Sequence, residues 1–269
     1  MRSHTLLILS SLLSMNLFAN VQPKECSKGP HAMRMTARHI EGKGVGYNQG
    51  YSTIEAFFTS VKATKDEWVQ FVDMRGHAFN DGKFAANVGY GGRYMGSSRV
   101  WGGNFYYDYR KTHRHMYNQV SLGFESLGKV WDFRLNGYLP VGKTKNTHKH
   151  EFVMKGINAE VGAHVDTWEN APLYFAAGPY FLSGHGKNAW GGELRAAVDF
   201  LEYVRIEGST SYDNVFKWIG QGQISLGVSF GPKRTVKPRG SNTCSMAHTV
   251  YRRAVQRIDR NEIMPVKNK

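Results

Sequence analysis

The sequence predicts an all-β fold, an antiparallel transmembrane β-barrel of about 12 strands with a short helical tail at its C-terminus. Three observations lead there. Polar and apolar residues alternate in segment after segment between positions 31 and 231, which is the period of a strand with two unlike faces. Turn residues punctuate these segments at spacings of roughly ten to sixteen positions. The polar face gathers charges of both signs, as a lumen wall does, while the apolar face gathers aromatics near strand ends, as lipid-facing girdles do.

Composition agrees with that reading. The 269 residues are 41% hydrophobic and 13% aromatic, with 14 Tyr, 6 Trp and 30 Gly, too apolar for wholesale disorder. After the N-terminus no apolar run reaches about 18 residues, which excludes a polytopic helical membrane protein and leaves strands as the route across a bilayer. At the start, Arg2 and His4 precede an apolar stretch from Leu6 to Phe18 closed by Ala19, so residues 1–19 read as a secretory signal peptide. Residues 20–30 then read as a short N-terminal segment of the exported chain. Cys26 and Cys244 are too isolated for a zinc site; in an oxidising compartment they are a candidate disulfide.

Element by element, strands are expected at 31–41, 45–60, 67–78, 83–94, 99–109, 116–126, 130–139, 151–164, 172–182, 189–200, 204–212 and 217–230. In the cleanest, Trp131, Phe133, Leu135 and Leu139 alternate with Asp132, Arg134, Asn136 and Tyr138. Turns are expected at Asn80-Asp81-Gly82, Gly96-Ser97-Ser98, Ser126-Leu127-Gly128-Lys129 and Ser183-Gly184-His185-Gly186, where Gly supplies the positive φ of tight hairpins. The polar face carries Asn104, Asp108, Glu125, Asp132, Arg134, Glu160, Glu193, Arg195, Asp199, Arg205 and Glu207, read as lumen-facing. Trp101, Tyr107, Tyr109, Trp131, Phe181, Phe200 and Phe230 are read as the aromatic girdle facing outer-membrane lipid. A soluble β-sandwich would show the same alternation; the mixed charges of the polar face favour the barrel.

Between positions 91 and 140 stand Gly92-Arg93-Tyr94, Trp101-Gly102-Gly103-Asn104-Phe105-Tyr106-Tyr107-Asp108-Tyr109, Leu122-Gly123-Phe124-Glu125 and Asn136-Gly137-Tyr138-Leu139-Pro140, in that order. This run resembles the β-barrel domain of inverse autotransporters, the intimin/invasin family. The resemblance implies a twelve-stranded outer-membrane barrel, its N-terminus in the periplasm, followed by a linker that threads the pore toward a C-terminal passenger. Residues 255–263 are similar to that linker. The sequence stops soon afterwards, so a passenger-less member is expected. With residues 111–115 and 141–150 as surface loops, the tight turns at 96–98 and 126–129 fall on the periplasmic side. Counting back from them requires the first strand at 31–41 and an even total.

The segment 232–269 holds ten Lys and Arg against Asp259 and Glu262, and so carries more than half of the net charge of +14. It includes a helical stretch at 246–258. Nucleic-acid binding, the ordinary reading of a basic run, conflicts with the signal peptide. The expectation is instead that the basic helix sits in, or at the mouth of, the lumen and pairs with its carboxylates, through Arg252, Arg253 and Arg257; a solvated tail is the alternative. His113, His115, His148 and His150 sit beside cations in loops and are expected to be polar loop tips rather than metal ligands. No motif for a nucleophile, a phosphate loop or a metalloprotease occurs, so no enzyme activity, catalytic residue, metal or cofactor is expected. The last strand, ending Leu226-Gly227-Val228-Ser229-Phe230, looks like the terminal signal read by the barrel assembly machinery. The function expected is that of a surface-exposed outer-membrane barrel, displaying or plugged by its own tail and offering loops to a host or surface ligand. A porin-like channel for small solutes and a secreted β-sandwich adhesin are the alternatives.

Overall fold

The computed structural model describes residues 33–60, 68–112, 115–146, 151–165, 172–200, 203–230 and 256–268. Its strands are β1 (Met33–Gly42), β2 (Tyr51–Thr59), β3 (Trp68–Phe79), β4 (Phe84–Met95), β5 (Val100–Lys111), β6 (Met116–Leu127), β7 (Trp131–Val141), β8 (Lys145–Asn146), β9 (Glu151–Val153), β10 (Lys155–Val165), β11 (Leu173–Gly184), β12 (Lys187–Phe200), β13 (Val204–Asp213), β14 (Lys217–Phe230) and β15 (Val266–Asn268). Twelve of them close a barrel in the order β1-β14-β13-β12-β11-β10-β7-β6-β5-β4-β3-β2. All its pairings are antiparallel, and the seam joins first strand to last, from Met33 opposite Phe230 to Gly42 opposite Gln221. Closure leaves no exposed sheet edge and excludes the β-sandwich.

Alternation dictates which way each side chain points. In β5 the pattern runs without a break from Trp101, exposed, to Arg110, buried; in β7 Trp131, Phe133, Leu135 and Leu139 face outward while Asp132, Arg134, Asn136 and Tyr138 face the lumen. The outer surface is therefore apolar and the interior polar, an inversion that suits a wall between lipid and a hydrophilic pore. Hairpin chemistry follows the turn residues. His185 (φ 43°) and Gly186 (φ 74°) form a two-residue turn with positive φ at both positions, and Gly82 (φ 79°) closes the turn between β3 and β4.

Several boundaries differ from expectation. Residues 45–50 belong to a loop containing the Gly44–Tyr47 bridge, not to the second strand. The segment expected as one strand at 151–164 is split. Glu151–Val153 leaves the barrel, and with β8 and β15 it makes a separate sheet in the order β15-β9-β8. Residues 1–30, Cys26 and Cys244 among them, and the expected strand start at 31–32 lie outside the described residues, as do Arg252, Arg253 and positions 246–255 of the expected helix. The last three positions of that stretch, 256–258, are irregular rather than helical.

Candidate functional site

The lumen of this barrel is filled by the chain's own residues 256–268, called the linker here. The mouth where β1 begins and β14 ends is the near mouth; the hairpins at 80–83 and 185–186 mark the far mouth. The linker climbs from one to the other. Its lower end meets Arg93 near the near-mouth end of β4, and its upper end pairs as β15 with β9, in the long loop between β7 and β10. It bends at positions 256, 260 and 263, and barrel side chains take four of its carbonyls. Arg93 donates to Gln256 O (2.6 Å), Arg75 to Ile258 O (2.9 Å), Asn87 to Glu262 O (2.9 Å) and Arg110 to Met264 O.

The linker's side chains complete an ion-pair network. Glu262 receives Arg38 Nη1 and Arg75 Nη1, both at 2.8 Å, and the linker's own Arg257. Arg38 turns its other nitrogen to Glu55 (2.8 Å), and Arg75 holds Asp73 (2.6 Å). Asp259 reaches Arg134 and Arg195, each at 3.3 Å. Arg260 makes a bidentate pair with Asp108 (2.8 and 2.5 Å), donates to Ser121 Oγ (2.7 Å) and stacks on the Tyr106 ring at 4.3 Å. A planar guanidinium with fixed donor geometry suits such paired and stacked positions. Because charges removed from water are stable only when paired, the network ties the linker to the wall.

Room for these groups is made by glycine. A Cβ at Gly89 of β4 would stand 2.2 Å from the Tyr106 ring, on which Arg260 lies. Towards the far mouth the character of the lumen changes from ionic to apolar. Ile263 packs with Ile40, Tyr51, Phe79 and Ala85, while Met264 and Val266 pack with Tyr117 and Val153. Met154 N donates to Pro265 O (3.1 Å). Gly46 (φ 83°) lets the first hairpin loop approach so closely that a Cβ there would lie 2.5 Å from Val266 N.

The polar residues singled out in sequence all face the lumen, but they do not form one cluster. Asp132, Arg134, Glu160 and Arg195 come together around Asp259, with Arg134 2.9 Å and Arg195 2.8 Å from Glu160. Glu125 binds Arg93 (2.6 Å), Asp108 binds Arg260, and Asp199 and Glu207 share Arg205 (3.1 Å each). Asn104 is buried, and Glu193 makes no hydrogen bond or ion pair among the described residues. Of the aromatics, Trp101, Trp131, Phe200 and Phe230 are exposed towards the near mouth; Tyr107 is exposed and Tyr109 half-buried on the upper half of β5. Phe181 is half-buried against Trp190 (4.2 Å between ring centres) near the far mouth.

The expected pairing of a basic tail with lumen carboxylates is corrected in its sign. Arg257 does reach Glu55 (3.7 Å), and Arg260, which had not been singled out, takes Asp108. Yet among the described residues most of the ion pairs run the other way, from lumen arginines to the linker's two acids. Sequence reasoning also missed Arg38, Glu55, Asp73, Arg75, His77, Asn87 and Arg93 on β1 to β4. There the lumen face is not uniformly polar: Phe57, Phe71 and Val69 also point inward, and the first two pack on Ile258. That mixture blurs the alternation. A charge every second residue, Asp73-Arg75-His77, was the available signal.

Comparison with known proteins places this architecture. Residues 45–173 match the family described as inverse autotransporter, β-domain. No curated protein matches the chain. Among solved structures, a protein from work on the in-meso crystallisation of membrane proteins superposes with a TM-score of 0.63 at 13% identity, covering 88% of this chain and 100% of that one. The COG4313 outer membrane channel from Pseudomonas putida F1 gives a TM-score of 0.55 at 9% identity, covering 78% of this chain and 100% of that one. The resemblance noted in the sequence is borne out, and the protein is an outer-membrane β-barrel.

Proposed function

We propose that this inverse autotransporter β-domain is a self-plugged translocation unit, a barrel that holds its own linker across the outer membrane with the C-terminal end directed to the cell surface. The observation that carries the reading is the capture of linker carbonyls at Gln256, Ile258, Glu262 and Met264 by barrel side chains. Capture through backbone carbonyls holds a chain largely without regard to its side chains, which suits a wall past which polypeptide moves. The far mouth carries the longest described connection, 142–154, and is read as the surface side, where such barrels keep their longer loops.

Three further elements belong to this reading. Insertion by the barrel assembly machinery is supported by the terminal strand β14, which ends on Phe230 and zips against β1. The reading as a non-enzyme is supported by the pairing of most lumen carboxylates, Glu193 excepted, with guanidinium groups, which gives them a structural task. The loops of the far mouth are the parts that would meet a host or surface ligand.

Two measurements test the proposal. A tag placed after Lys269 is expected to be cut by protease added to intact cells, and full-length protein in planar bilayers is expected to conduct poorly until residues 256–269 are deleted. Heat-modifiable migration establishes that both forms are folded. A tag protected in a folded barrel, or equal conductance with and without the linker, would overturn the reading.

A further inference from the structure

Lysine and arginine divide this molecule between them. Among the described residues arginine lies mostly in the lumen, while every lysine except Lys129 lies at the far mouth. Four of these lysines gather on one arc. Lys111 ends β5, Lys143 and Lys145 follow β7, and Lys155 opens β10. Because β5, β6, β7 and β10 are consecutive around the barrel and the register sets Lys155 level with Tyr107, four residues before Lys111, the two ends of the arc lie about 20 Å apart. All four lysines are exposed, and none of their ammonium groups makes a hydrogen bond or ion pair among the described residues. Lys111 and Lys155 share the outward register of Tyr109 and Ile157.

No acid stands on the outward face of this arc to balance them. Glu151, the nearest, is engaged by Thr112 and Tyr117. Beside and below the lysines the wall is apolar: Met116, opposite Lys111, is 56% exposed, Leu139, level with Lys155, 57%, and Ile157 47%. Unpaired ammonium groups bordering an exposed apolar wall are complementary to an amphiphile with anionic head and acyl tails. Lysine suits the purpose, since its flexible stem lies along apolar surface while the hydrated charge stays at the interface.

We propose that the far-mouth arc from β5 to β10 is a docking surface for a phosphate-bearing acylated lipid of the surrounding leaflet. Its phosphates sit among Lys111, Lys143, Lys145 and Lys155, and its chains lie on the wall below. The proposal rests on the outer-membrane location and not on the plugging of the lumen, so either can fail alone.

The test uses the full-length chain in nanodiscs, with bisphosphorylated lipid A as probe and dephosphorylated lipid A and inorganic phosphate as comparison arms. Binding of the phosphorylated lipid is expected to weaken at least about tenfold in the fourfold Lys→Gln variant at 111, 143, 145 and 155. It is expected to survive in the matching fourfold Lys→Arg variant and in K43Q/K217Q, whose lysines lie on other hairpins of the same mouth. Added salt should weaken it, because exposed charges are screened. Heat-modifiable migration checks that each variant is folded. Undiminished binding in the fourfold Gln variant, equal binding of dephosphorylated lipid, or displacement of the lipid by equimolar inorganic phosphate would overturn the proposal.

Discussion

The two halves of the lumen wall face different things. From β1 to β7 the wall faces the linker, and its charged side chains are sealed: Asp73 and Arg75 have no side-chain exposure and Glu55 has 2%. From β10 to β14 the wall faces a cavity of about 130 Å³ between Glu193, Glu207, Gln221 and the linker. The charges lining it keep partial exposure, 15% for Glu160 and 11% for Glu207. The same alternating pattern therefore builds a core on one side and a wetted surface on the other. A buried charge depends on its partner, because losing that partner leaves an uncompensated ion out of water. A charge beside a polar cavity can fall back on solvent.

That contrast predicts a graded series of losses. Glu262→Gln should have the largest effect, since Arg38, Arg75 and Arg257 converge on this carboxylate; about 3–5 kcal/mol of linker docking is expected to go. The checks are a lower temperature for the heat-modifiable shift and new tryptic cleavage after Arg257. Arg260→Gln follows, at about 2–4 kcal/mol, because Asp108 is left buried without its bidentate partner. Gly89→Ala should cost about 1–3 kcal/mol by displacing the Tyr106 ring from beneath Arg260. Glu193→Gln on the opposite wall should change stability by less than about 0.5 kcal/mol. If Glu193→Gln proved as damaging as Glu262→Gln, the distinction between the two walls would be broken. A series in the stated order would sharpen it.

How far the sequence reached can be seen in particular elements. Strand β7 was readable in full, since Trp131 to Tyr138 alternate without exception and Asp132 and Arg134, two residues apart, also bond each other (3.2 Å). Strand β3 was readable as a strand but not as a site, because Val69 and Phe71 share its lumen face with Asp73, Arg75 and His77. The excursion of Glu151–Val153 out of the barrel had no local signal. It is decided by Val266–Asn268, which lie more than a hundred positions away and add a strand to it.

By itself, then, the sequence determined what is local: strands of period two, tight turns, an outward face of apolar and aromatic residues, and a polar interior. These follow from side-chain direction along a strand and need no knowledge of neighbours. Only the tertiary structure decided the partners. Arg38 and Glu262 are 224 positions apart, and nothing in their surroundings says that they meet. Closure of the barrel and the path of the linker bring them together. Once inside, the linker's two acids make more of the described ion pairs to the wall than its three basic residues, because desolvated arginines on the wall need them.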